Sequence, residues 1–169
     1  MSTQHPSDEP IDLYNAAWSG DESRISAIVH HIQSGGAQIP QDDIDDALAV
    51  AAKRGHIECL RLLLAVADPL FQHSKALRGA AVIGHAQCVE ALLGRSDPKA
   101  MESVALSLAA RYGHLECVQL LLPVCDPLAD QGRPLGEAAH SGHLDCLLLL
   151  LPHAAPKMKD SEACYYAAT

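Results

Sequence analysis

The chain has 169 residues, 49% of them apolar and only 4% aromatic, so its core must be built from Ala, Leu, Val, Ile and Cys. The formal net charge is −9, and residues 1–46 hold nine acidic side chains against one basic side chain, Arg24. Nucleic-acid binding requires concentrated Lys and Arg, so this charge distribution excludes a nucleic-acid partner.

Neither the N-terminal segment nor the apolar runs predict a membrane protein. Residues 1–10 are polar and lack the apolar stretch of a secretory signal, and we expect them to be disordered. The longest apolar run, 147–152, is far shorter than the roughly 20 residues that span a bilayer. Contact with a membrane is therefore not expected.

A period of 29 residues runs through most of the chain. Such a period indicates a small unit stacked on copies of itself. Gly-His recurs at 55–56, 84–85, 113–114 and 142–143; Cys59, Cys88, Cys117 and Cys146 each follow three residues after the His; and Asp-Pro recurs at 68–69, 97–98 and 126–127, with Ala155-Pro156 next in register. The register predicts five repeats and a C-terminal half-repeat: 11–45, 46–74, 75–103, 104–132, 133–161 and 162–169.

Each repeat predicts two short helices. The first has apolar residues at helical spacing and ends at the Gly, which adopts positive φ without steric cost. The second begins near the His, buries the Cys and a run of Leu, and stops before the Pro, which disfavours α geometry in the preceding residue. Helices this short need stacking for stability, so we predict an all-α solenoid.

The connection after the first repeat is six residues longer than the others. Ser34-Gly35-Gly36 and Pro40 predict a flexible loop within 30–46. Its acidic run, 42–46, lacks the alternating oxygen ligands of a calcium loop. We expect a solvated stretch that precedes and caps the next helix.

The repeat resembles the ankyrin repeat, whose unit of about 33 residues carries T-P-L-H-x-A-A near its start. The closest match is RPLGEAA at 133–139, followed by GHLDCL at 142–147. The resemblance covers residues 11–161, but every copy lacks the Thr and His of that turn, and each 29-residue repeat is about four residues short. It implies that the projecting hairpins are reduced to tight turns and that recognition shifts to the helical face.

The repeated His-x-x-Cys pairs share a helix face and could be metal ligands, so a metal- or redox-responsive protein is an alternative function. Neighbouring repeats lie about 8–10 Å apart, which is too far for these cysteines to share one ion or to form disulfides. We predict a buried Cys column, no metal and no cofactor. The resemblance implies His side chains bonded to turn backbone.

The sequence contains no nucleophile elbow, phosphate-binding loop or zinc-protease motif. We therefore predict no catalytic residues and no enzyme activity. Cysteines that remain free predict a reducing, cytoplasmic location, or a host cytosol for a delivered effector.

The candidate binding residues are those that the repeat does not dictate. The resemblance places the two residues before each turn Gly on the concave face, where partners of ankyrin repeats bind. Trp, Tyr and Arg dominate interface energies, and the single Trp of the chain falls in this column. The predicted partner-binding residues are Trp18, Lys53, Arg54, Arg78, Val82, Ile83, Arg111, Tyr112 and His140. In an alternative interpretation, Trp18 and Val82 fold inward and only pack between repeats.

These features predict a monomer that binds another protein, one presenting acidic groups around an exposed hydrophobic residue. Three roles stay open: an adaptor or secreted effector, a small inhibitor or immunity protein that blocks a cognate toxin, and a fragment of a longer array. The apolar segment 162–169 also leaves end-on self-association open.

Overall fold

The computed structural model describes residues 12–36 and 38–158. The predicted disordered segment 1–10 and the predicted half-repeat 162–169 lie outside these residues. Within them, ten helices follow one another in five pairs: α1 (Leu13–Ser19), α2 (Glu22–Gln33), α3 (Gln41–Arg54), α4 (Ile57–Leu63), α5 (Phe71–Ile83), α6 (Ala86–Leu93), α7 (Ala100–Arg111), α8 (Leu115–Leu121), α9 (Ala129–His140) and α10 (Leu144–Met158).

The helices form two layers. The first helices of successive repeats pack in the order α1, α3, α5, α7 and α9, and the second helices pack in the order α2, α4, α6, α8 and α10. The described residues contain no strand, and the connections 64–70, 94–99 and 122–128 consist of turns. The predicted all-α solenoid is therefore confirmed, and so is the reduction of the hairpins to turns. No helix of the described residues is both long and apolar enough to cross a membrane.

The core lies between the two layers and is built largely from small residues. Ala51, Ala80 and Ala109 of the first helices are fully buried, which lets neighbouring helices approach closely. From the second helices, the Cys column contributes side chains that are at most 1% exposed: Cys59, Cys88, Cys117 and Cys146. The prediction that the Cys column belongs to the core is confirmed.

Each turn histidine packs on the turn glycine of the preceding repeat. Gly84 has φ +90°, and a Cβ atom there would lie 2.5 Å from Nδ1 of His114. Nε2 of His114 donates a hydrogen bond to the Val82 carbonyl at 2.9 Å, and His56 bonds the Trp18 carbonyl in the same way at 3.1 Å. The implied bonding of histidine to turn backbone is confirmed for these two residues.

The Asp-Pro turns are tied to the start of the first helix in the same repeat. The carboxylate of Asp97 accepts a hydrogen bond from the Lys99 N–H at 2.9 Å, which forms an Asx turn. The Asp97 N–H donates to Oγ of Ser74 at 2.9 Å. Asp126 bonds Ser103 in the same way, and both serines lie in short left-handed segments that lead into right-handed helix.

The connection after the first repeat is shorter than the segment 30–46, and it contains the residues that predicted a loop, Ser34-Gly35-Gly36 and Pro40. Helix α2 extends to Gln33 and α3 begins at Gln41, so the connection covers only 34–40. The acidic run 42–46 lies inside α3, where carboxylates in the first turn interact favourably with the helix dipole. Asp45 in this run is buried, not solvated, and accepts a hydrogen bond from the Asp68 N–H at 2.6 Å.

The last repeat ends differently from the others. Helix α10 continues to Met158, past the position 155–156 at which the Asp-Pro turn was expected to stop it. Alanine has no side-chain oxygen, so residue 155 cannot form the Asx turn that follows α4, α6 and α8.

Replacing Gly84 by alanine tests the contact between repeats. Gly84→Ala is expected to lower the free energy of unfolding by about 2–4 kcal/mol, because a left-handed non-glycine residue is strained and its Cβ would displace His114. Urea unfolding measures the change. Gly136→Ala in α9 is the matched control, since an added Cβ meets no atom within 4 Å there. Equal stability of the two variants would contradict this account.

Candidate functional site

A groove of about 850 Å³ runs across the first helices of the first four repeats. We call it the α1–α7 groove. Its lining comprises Tyr14, Trp18, Asp46, Ala49, Val50, Lys53, Arg54, Lys75, Arg78, Gly79, Val82, Ile83, His85, Val104 and Leu108. Because stacked repeats present equivalent positions side by side, the groove is a surface of aligned residues drawn from separate repeats.

An aromatic platform closes the α1 end of the groove. Trp18 is 48% exposed and stacks on Tyr14, with ring centroids 6.4 Å apart. The guanidinium carbon of Arg54 lies 3.5 Å from the Trp18 ring centroid, a cation–π contact between the first two repeats. Trp18 therefore does not fold inward, and its side chain holds Arg54 in place over the groove.

The middle of the groove is apolar. Val50, Gly79 and Leu108 occupy the same position in three successive repeats and form its floor. Val82 is half-buried beside them, whereas Ile83 is 44% exposed. An apolar surface of this kind is stabilised when a partner covers it.

The rim of the groove is cationic in a chain whose net charge is −9. Lys53, Arg54, Lys75 and Arg78 contribute four positive charges against the single carboxylate of Asp46. Lys75 bonds that carboxylate at 2.7 Å. The groove is therefore complementary to a negatively charged ligand.

Arg78 is held in a fixed position on the wall of the groove. Its Nη2 donates to the Gln72 carbonyl at 2.9 Å, and its Nη1 lies 2.7 Å from Sδ of Met101. A side chain that is already ordered loses less conformational entropy when a ligand binds. Arg78 thus presents a pre-positioned charge, which the sequence could not show.

An ion-pair cluster between α7 and α9 lies outside the lining of the groove. Glu137 follows Leu108 in the repeat register, and its carboxylate lies 3.8 Å from Nε of Arg111 and 3.5 Å from Nε of Arg133. Tyr112 stacks on His114 with centroids 6.4 Å apart. Arg111, Tyr112 and His140 are exposed but lie outside the lining of the groove.

The structure thus brings six of the nine predicted residues together and leaves three apart. Sequence reasoning missed Tyr14, although it precedes Trp18 by four residues, the spacing of neighbours on a helix. It also missed the pair Asp46 and Lys75, whose signal was opposite charge at equivalent positions of adjacent repeats.

The cysteines of the core are poorly suited to thiolate chemistry. Burial raises the pKa of the Cys117 thiol to about 11, and it also raises the pKa of Cys59, Cys88 and Cys146. A thiol with a raised pKa is a weak nucleophile and metal ligand near neutral pH. Within residues 12–36 and 38–158, no group of three His, Cys, Asp or Glu side chains is placed to hold a metal ion.

Stacked pairs of short helices, joined by Gly-His turns, define a helical repeat protein. The family profile described as ankyrin repeats (three copies) matches residues 77–161, and the single ankyrin-repeat profile matches residues 45–74. The chain belongs to the ankyrin-repeat family, whose members are generally protein–protein interaction modules. A comparison with characterised proteins gives no significant match.

The pH dependence of stability tests the burial of the Cys117 thiol. Between about pH 9 and pH 11, the unfolded chain releases the Cys117 proton and the folded chain keeps it. The stability that burial of the neutral thiol provides below pH 9 is therefore lost as the pH rises through this range. Cys117→Val removes this titration. Relative to wild type, the variant should gain stability between about pH 7 and pH 10 in urea unfolding. Parallel pH profiles would contradict the assignment.

Proposed function

We propose that the α1–α7 groove binds an acidic segment of a partner protein. The observation that carries this proposal is the charge of the groove, four cations against one carboxylate in a chain that is strongly acidic elsewhere. The exposed Trp18 and the apolar floor add the kinds of side chain that dominate binding energy at protein interfaces.

Binding, and not catalysis, is the activity that these groups support. The lining of the groove contains no Ser, Thr or Cys nucleophile. Its one carboxylate, Asp46, already pairs with Lys75, and His85 packs on Gly55 of the preceding turn. We infer that the protein acts as a monomeric adaptor or effector that binds its partner through this groove. The buried free cysteines fit a reducing compartment such as the cytoplasm.

Charge reversal within and outside the groove tests the proposal. Lys53 is exposed in the groove and has no ion-pair partner among the described residues, whereas Lys99 is exposed in a turn outside it. Lys53→Glu and Lys99→Glu change the net charge equally. Only Lys53→Glu is expected to weaken partner binding, by at least about tenfold (about 1.4 kcal/mol).

Affinity capture with the tagged wild-type protein identifies partners, and titration of a captured partner against each variant measures the affinity. Trp18→Ala should weaken the same interaction by about 2 kcal/mol, because a half-exposed aromatic platform is lost. Circular dichroism confirms that each variant is folded. A partner that binds both Lys variants and Trp18→Ala with wild-type affinity would place its site elsewhere and overturn the proposal.

A further inference from the structure

Gly79 lies in the interior of α5 although the fold does not require glycine there. Its φ is not in the left-handed region, where glycine would be needed. A Cβ at Gly79 would lie 3.5 Å from Cβ of Lys53 and 3.7 Å from the Ala49 carbonyl oxygen, which are ordinary van der Waals distances. Since glycine destabilises a helix interior relative to alanine, this residue lowers stability without a packing reason.

Gly79 lines the groove without a side chain, so we expect a recess there, where the floor is lower than at the equivalent positions of the neighbouring repeats. Val50 and Leu108 stand at the same position in the repeats on either side, and both are half-buried apolar residues. First helices pack at spacings of roughly 10 Å, so a gap between two such side chains is wide enough for one apolar group. Val82, one turn further along α5, adds a third apolar wall.

Positive charges surround this recess on both sides. Lys75 is one turn before Gly79 on α5, and Lys53 is the nearest residue of α3. Arg78 is the immediate neighbour and is held in place by the Gln72 carbonyl. An apolar recess with a cationic rim matches a segment that carries one apolar side chain between acidic residues.

We infer that the recess at Gly79 receives a single bulky apolar side chain of the acidic partner segment, which makes Gly79 a specificity-determining residue. This inference rests on the proposed function of the groove. It adds that the partner is selected by the size of one anchoring side chain. Glycine at position 79 lowers stability, but any side chain there would occupy part of the recess.

The test uses fluorescent acidic peptides that differ only in their central residue, which is Phe, Leu or Ala. A peptide with central Phe and basic flanks serves as the charge control. Fluorescence anisotropy with the full chain should give at least about tenfold tighter binding for Phe or Leu than for Ala, since the apolar group leaves water on binding. The basic peptide should not bind.

Substitutions at Gly79 then separate effects on peptide binding from effects on protein stability. Gly79→Ala should raise Tm by about 2–4 °C through its gain in helix propensity, and should weaken binding of the Phe peptide. Gly79→Leu should fill the recess and weaken binding of the Phe peptide by about tenfold or more. Its effect on binding of the Ala peptide should be small. Gly136→Ala in α9, outside the groove, should raise Tm and leave every affinity unchanged.

The possible outcomes distinguish this inference from the proposed function. If Gly79→Leu binds the Phe peptide with wild-type affinity, or if the Phe and Ala peptides bind equally well, the anchor is overturned. Binding that still depends on Lys53 would, in that case, support the groove as the binding site. Failure of every acidic peptide to bind, or binding unaffected by Lys53→Glu, would overturn both. Binding that appears only when Asp8 and Glu9 are replaced by Asn and Gln would make the chain's own acidic N-terminal segment the occupant, and would overturn the assignment to a partner.

Discussion

The contact on which this structure depends is the packing of each turn histidine on the glycine of the preceding repeat. The imidazole fills the space that a Cβ would occupy, as His114 does over Gly84, and its Nε2 bonds a carbonyl two residues before that glycine. A left-handed glycine therefore ends one helix and also makes room for the histidine of the next repeat. The contact recurs at all four junctions between the five repeats, and it helps to fix the register of the stack.

Fixed register turns a linear repeat into aligned rows of side chains. Residues at equivalent positions become neighbours, so Asp46 meets Lys75, and Val50 and Leu108 stand on either side of Gly79. Most positions that face the core hold Ala, Leu, Ile, Val or Cys, because the core is closely packed. Positions that face outward are free to vary, and variation along these rows produces the groove, its cationic rim and the glycine in its floor.

The same packing decides which of the repeated chemical groups are available. The His-x-x-Cys motif suggests metal or redox chemistry, but the turn histidines pack against backbone and the cysteines lie in the core with raised pKa values. The groups that remain exposed in the groove are mainly cations and aromatic or aliphatic side chains, with the one carboxylate of Asp46. These groups suit recognition of a complementary surface, and this agrees with the general role of the ankyrin-repeat family.

The sequence by itself determined the repeat, the helix pairs, the glycine turns and the buried Cys column, because these follow from backbone sterics and hydrophobic period within one segment. The resemblance to the ankyrin repeat predicted that Trp18 and Lys53 share one face of the stack, and both line the α1–α7 groove. Only the tertiary structure showed that Arg111 lies outside the groove, close to Glu137, and that Arg54 lies over Trp18. Each of these depends on the distance between side chains of different repeats, which no single segment of sequence specifies.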